Sequence, residues 1–260
     1  MEVTYTSYLQ VNELLKLQNE LSDGPEHDEL LFIIIHQVYE LWFKQMLHEI
    51  DYLAVKLAQG ETPTALHRMK RMRTILKTMV SQIDILETMT PMSFESFRDR
   101  LSTSSGFQSA QFREFECALG KRSAALLKPH PEGSEQRRRI EERMDKPSLY
   151  ETFLQYLRDK GHAIPLPEKP YPREESIHPD EKIQDALLEV YKNAPVVTLI
   201  CELMVDIDEG VQEWRYRHVK MVERTIGAKI GTGGSAGAEY LRRTLFTPLF
   251  PDLWAIRSRF

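Results

Sequence analysis

From Glu26 to Gln59 the chain contains neither glycine nor proline, and from Val196 to Ile226 it contains no proline and a single glycine, Gly210. Uninterrupted runs of that length are too long for strands, which average roughly 5–6 residues. Apolar spacing identifies the element. Leu31, Ile34, Ile35, Val38, Leu41, Trp42 and Leu47 recur at steps of three and four, which predicts a helix over about Asp28 to Leu57. Leu66, Met69, Met72, Ile75, Leu76, Met79, Val80, Ile83 and Leu86 predict a second, over about Pro63 to Thr88. Thr90-Pro91 ends it, and Ser93 reads as the N-cap of a shorter helix reaching Leu101. Another helix is expected from Ser109 to Leu119, stopped by Gly120. Helix resumes near Pro179, breaks at Asn193-Ala-Pro195 and continues to about Thr225. The expected fold class is therefore all-α.

The middle of the chain is the weakest core candidate. Residues 128–133 (KPHPEG) form a loop, and Ser134 to Met144 is charge-dense enough for a solvated helix. Five prolines (165, 167, 170, 172 and 179) mark residues 163–179 as a surface insertion or lid. No linker separates two cores, so one domain spanning 1–260 is expected.

Composition narrows the function classes. Hydrophobic residues make up 42% and charged residues 28%, enough to fill a core without forcing disorder. The longest apolar run, Leu30 to Ile35, falls far short of the roughly 20 residues that a membrane span needs. The N-terminus has no basic segment leading into an apolar one, so no signal peptide is expected. Two cysteines, Cys117 and Cys201, suit a reducing cytoplasm rather than a disulfide framework. A net charge of −5 and a pI near 6.0 argue against a nucleic-acid partner.

Familiar catalytic motifs are absent. There is no phosphate-binding G-x-x-x-x-G-K-[ST] and no H-E-x-x-H. The single Glu-x-x-His, Glu175 to His178, lies in the proline-rich stretch, so a di-iron bundle lacks its paired motifs. The glycine-rich segment 231–237 follows a helix rather than a strand, which disfavours dinucleotide binding. An all-helical enzyme without those motifs often relies on a cofactor. Of eight histidines, six (27, 48, 67, 130, 162 and 178) lie in polar or loop surroundings that suit surface or structural roles. His36 and His218 instead sit on apolar stripes: His36 within FIIIHQVYELW, one turn after Phe32, and His218 one turn after Trp214. The plain reading of each is a core histidine satisfied by hydrogen bonds. Two such rings brought into one helical core from distant helices would equally suit the two faces of a haem. Arg98 has two readings as well: an ion pair with Asp99 or Glu95, or a guanidinium that holds a substrate carboxylate by two parallel hydrogen bonds.

Six segments together carry a resemblance. HDELLFIIIHQVYELWFKQ (27–45), ILETMTPMSFESFRDRL (85–101), SSGFQSAQFR (104–113), PSLYETFLQYL (147–157), WRYRHVKMVERTIG (214–227) and GTGGSAG (231–237) resemble the tryptophan 2,3-dioxygenases, haem enzymes that open the indole ring. The likeness runs from about Tyr5 to the C-terminus. It implies an all-helical fold enclosing b-type haem, a homotetramer, and conversion of L-tryptophan and O2 to N-formyl-L-kynurenine. By matching position, it implies that His218 is the iron ligand and that His36 is the distal residue facing the indole N–H. Phe32 packs beside the indole, Leu101 lines its pocket, and Arg98 holds the substrate carboxylate. Thr232 meets the substrate ammonium together with a haem propionate, and Ser105 lies near the haem. Tyr5 and Tyr8, on an N-terminal arm over residues 1–22, cover a neighbouring subunit's site. Two positions depart from the pattern: Phe94 stands where some bacterial relatives carry a substrate-binding tyrosine, and Thr103 replaces a proline. Relatives of this family also oxidise other indoles, so a different indole substrate stays open, as does a haem-binding sensor or a non-catalytic helical protein that binds a partner.

Overall fold

The computed structural model describes residues 2–24, 26–166, 172–229, 231, 241–242 and 245–260. Among the described residues there is no strand. The helices are α1 (Tyr5–Leu9), α2 (Val11–Leu14), α3 (His27–Ala58), α4 (Thr62–Leu86), α5 (Pro91–Arg98), α6 (Ala110–Leu119), α7 (Glu135–Met144), α8 (Leu149–Asp159), α9 (Glu181–Asn193), α10 (Pro195–Ile226) and α11 (Pro251–Ala255). No helix among them is long and apolar enough to cross a membrane.

Three long helices make the frame. α4 packs along both α3 and α10, and α5, α6 and α8 lie against α3. Met46, Met69, Met72, Met79 and Met204 are almost wholly buried where these helices meet. Such unbranched side chains fill irregular gaps between crossing helices. The lone glycine of α10 has a packing reason. A Cβ at Gly210 would lie 3.2 and 3.3 Å from Leu76 Cδ1 and Cβ, a tight fit that would push Leu76 by a few tenths of an ångström, so glycine eases the close approach of α10 to α4.

Two fully buried carboxylates hold the C-terminal segment. Asp208 on α10 accepts from Leu249 N–H, Phe250 N–H and the Trp254 indole N–H. Asp252 accepts from the Tyr150 hydroxyl, Asp180 N–H and the Gln184 amide. At the other end Glu29 accepts from Leu21 N–H and Ser22 N–H, which ties the chain before α3 to that helix. Burial works against its charge, but these donors hold its pKa below the usual carboxylate range.

Two sequence expectations are corrected. Thr90, not Ser93, caps α5; its hydroxyl accepts from Ser93 N–H, and Pro91 takes the first helical position. The middle of the chain contributes strongly to the core. On α8, Leu149, Tyr150, Phe153, Leu154, Tyr156 and Leu157 are essentially inaccessible, because its apolar residues share one face. Ile164 and Ile177, near the two ends of the proline-rich stretch, are also buried in the main core, and residues 167–171 between them lie outside the described residues.

Candidate functional site

One turn of α3 separates Phe32 from His36, so both rings project from the same side, with centroids 4.1 Å apart. The His36 Nδ1 lies 2.7 Å from the Phe32 carbonyl oxygen. A carbonyl only accepts, so Nδ1 carries the proton, and Nε2 keeps a lone pair. More than a third of His36 is open to solvent, yet the protein around it lowers its pKa, burial being the main cause. His36 is thus exposed rather than a core residue, and its Nδ1 is tied to the backbone of its own helix.

α5 supplies the opposite wall. Phe94 and Phe97 are buried, and Phe32 lies 5.8 Å from the first ring and 5.6 Å, edge-on, from the second. Arg98 follows Phe94 by one turn. Its side chain is mostly buried, and its guanidinium lies 3.5 Å from the half-exposed Glu95 carboxylate. Lys229 donates to that carboxylate at 3.0 Å. The surface-pair reading of Arg98 is thus realised with Glu95, on the same short helix that carries Phe94 and Phe97. Leu101 packs against the same core. Ser105 caps a short 3-10 turn, Gly106–Gln108, by accepting from Phe107 N–H. Its own O–H remains a donor.

α10 brings His218 to this place. Burial and, to a smaller extent, the neighbouring His36 push its pKa down to about 4, so the imidazole is neutral at ordinary pH. Trp214, one turn earlier, stacks almost parallel on His218, with centroids 5.6 Å apart and 7° between planes. Tyr39 and Phe43 of α3 and Phe112 of α6 box in that indole at 5.2–5.9 Å. Among the described residues no hydrogen bond reaches the His218 ring, and no group of three His, Cys, Asp or Glu side chains could hold a bare metal ion. A metal here would have to bring most of its own ligands. A neutral, unpartnered imidazole on an apolar wall is the donor that haem iron takes. The residues present fit that group.

The matches extend over the whole chain. The sequence profile described as tryptophan 2,3-dioxygenase covers residues 1–170 and 173–260. The chain belongs to the tryptophan 2,3-dioxygenase family. Relatives carrying that name include one from Anaeromyxobacter sp. (strain K), 57% identical over 98% of this chain and 96% of its own length. Others come from Herpetosiphon aurantiacus, 54% identical over 98% of each chain, and Nocardioides sp., 42% identical over 99% of this chain and 94% of the relative.

Of the expected residues, Phe32 and His36 lie on α3, Phe94 and Arg98 on α5 and His218 on α10; the Phe32 ring meets both His36 and Phe94, and His36 lies close enough to His218 to influence it. Other expected residues stand apart. Thr232 lies outside the described residues. Tyr5 and Tyr8 are strongly exposed on α1, which packs against α2. Sequence reasoning also passed over Phe97, whose i+3 spacing from Phe94 was a usable signal, and the ion cluster around Glu116, which has no local signature because its partners come from two helices and a loop.

Proposed function

We propose that the chain is a haem-dependent dioxygenase that cleaves the indole C2–C3 bond of L-tryptophan with O2 to give N-formyl-L-kynurenine. The observation that carries this reading is that helices far apart in the chain bring His36 close enough to His218 to influence it, beside the Phe32–Phe94 aromatic contact on the helix that carries Arg98. His218 would hold a b-type haem, which when bound and ferrous supplies O2 binding and activation. The chain's own residues do the rest. Phe32, Phe94 and Leu101 take the indole plane and keep water off it. Arg98 receives the substrate carboxylate. Thr232 receives the ammonium with a haem propionate, and Ser105 offers its O–H at the haem edge. The Nε2 lone pair of His36 accepts the indole N–H. That N–H is far too weak an acid for easy removal by imidazole, so His36 orients the ring rather than acting as an obligatory base.

The decisive assay incubates reduced, haem-loaded protein with L-tryptophan and O2 and follows N-formylkynurenine absorbance. No product with tryptophan, but turnover of simple alkylindoles, would move the activity to another indole. His36→Ala is expected to lower kcat/KM by about tenfold, the worth of one hydrogen bond of ordinary strength. Abolished turnover with tryptophan binding intact would instead make His36 a true base.

The assembly we propose is a homotetramer. On α3, Leu30, Ile34, Leu41, Tyr52 and Val55 remain exposed along one outer side, in addition to the residues that the helix buries in the core. An exposed apolar stripe of that kind suits contact with another subunit. A cavity of about 560 Å³ lined by Val38, Leu41, Trp42, Gln45, Arg71 and Ile75 adjoins this stripe, on the side of α3 away from His36. The exposed tyrosines and leucines of the N-terminal arm would cover a neighbouring subunit's cleft. Ile34→Glu with Leu41→Glu should reduce the particle mass measured by light scattering; an unchanged tetramer would place the interface elsewhere. Two buried free cysteines support a cytoplasmic location.

A further inference from the structure

Glu116 of α6 is buried, and three cations converge on it. The Arg215 guanidinium of α10 reaches it at 2.6 Å, that of Arg113 at 2.5 Å, and Lys121 Nζ at 3.2 Å. Among the described residues it is the sole carboxylate that ion-pairs with any of the three. Arg113 Nε and Arg215 Nη1 are buried without partners. As a device for stability this cluster is poor, because orphaned donors and excess buried charge are costly and an apolar contact would serve better. Its value lies in register: a carboxylate gripped by two guanidinium groups fixes one helix against another with hydrogen-bond precision.

The register concerned is that of the iron-ligand candidate. Arg215 precedes His218 by three residues, so the pair lie on neighbouring turns of one side of α10. The same cluster braces the aromatic box. The Arg113 guanidinium stands 5.2 Å over Phe112 and 5.6 Å over Phe107; Phe112 lies 5.2 Å from Trp214, and Trp214 stacks on His218. Phe107 sits in the turn capped by Ser105. Two routes therefore run from Glu116 to the imidazole, one along α10 and one through Phe112 and Trp214.

We propose that Glu116 is a positioning residue for His218, fixing the orientation of that imidazole toward haem iron by locking α6 to α10 beneath it. The proposal rests on His218 being the iron ligand. Glu116→Gln keeps the shape and leaves the three cations uncompensated. In the reduced, haem-loaded protein the iron–histidine stretching band should shift or split, and haem transfer to excess apomyoglobin should accelerate roughly tenfold, the scale expected when an outer partner of a metal ligand is lost. KM for tryptophan should stay close to that of the parent. Glu116→Asp, which keeps the charge, should recover part of both effects. Asp252→Asn removes another buried carboxylate that holds the C-terminal segment, and it should lower the melting temperature without moving the band. Should Glu116→Gln fail to fold, Arg215→Lys, which keeps the charge and loses the fork, decides on the same two readouts. A folded variant with the parent's band and haem-loss rate overturns the proposal, as does an equal shift in Asp252→Asn. Failure of the parent to take up haem, or a band that survives His218→Ala, would overturn the ligand assignment instead.

Discussion

His218→Ala lowers turnover of tryptophan by more than about a thousandfold, because haem iron without its protein ligand loses both its tether and the electron donation that an imidazole provides. The physical basis is a ring that does little else. Burial and the neighbouring His36 keep it neutral, with its pKa near 4, and no hydrogen bond from the described residues engages it. Its removal should therefore leave the haem-free protein almost as stable as before, the loss of stacking on Trp214 being the main cost. The ferrous spectrum of His218→Gly should recover a five-coordinate form, and some activity, when free imidazole is added. A drop of many degrees in the melting temperature of the haem-free variant, with haem still bound normally, would return His218 to the role of a core histidine.

Arg98→Met should cut kcat/KM for L-tryptophan by roughly 10²–10⁴-fold, the combined worth of two charge-assisted hydrogen bonds at about 1.5–3 kcal/mol each. The haem spectrum should stay unchanged. Tryptamine, which lacks the carboxylate, provides the discriminating substrate: the parent already forgoes those bonds with it, so parent and variant should turn it over at nearly equal, low rates. The fold should tolerate the change, since Glu95 retains Lys229 as its partner. Equal losses with tryptophan and tryptamine would mean that Arg98 serves the α5 surface through Glu95 and not the substrate.

Much of this was legible before any coordinates. Helical spacing alone placed Phe32 beside His36 and Trp214 beside His218, because residues four apart on a helix must share a side. Caps were legible where a side chain and a nearby N–H decide them, as at Ser109, and Gly120 takes the positive φ expected of a helix stop. At α5 the sequence reading took Thr90-Pro91 as the end of the preceding helix and put the cap at Ser93, but Thr90 is the cap because Pro91 suits the first helical position. The core role of α8 was missed because its neighbours are charged and proline-rich, and composition averaged over a region hides a short amphipathic face.

The sequence by itself determined the helices, the family and the residue types able to take iron, an indole and a carboxylate. These follow from local periodicity and from strings long enough to be distinctive. Only the tertiary structure decided that His36 stays exposed within its apolar run, that Lys229 joins Arg98 on Glu95, and that Arg215 of α10 reaches Glu116. The last two contacts span 134 and 99 residues, and long-range packing, unlike a turn of helix, leaves no period in the chain.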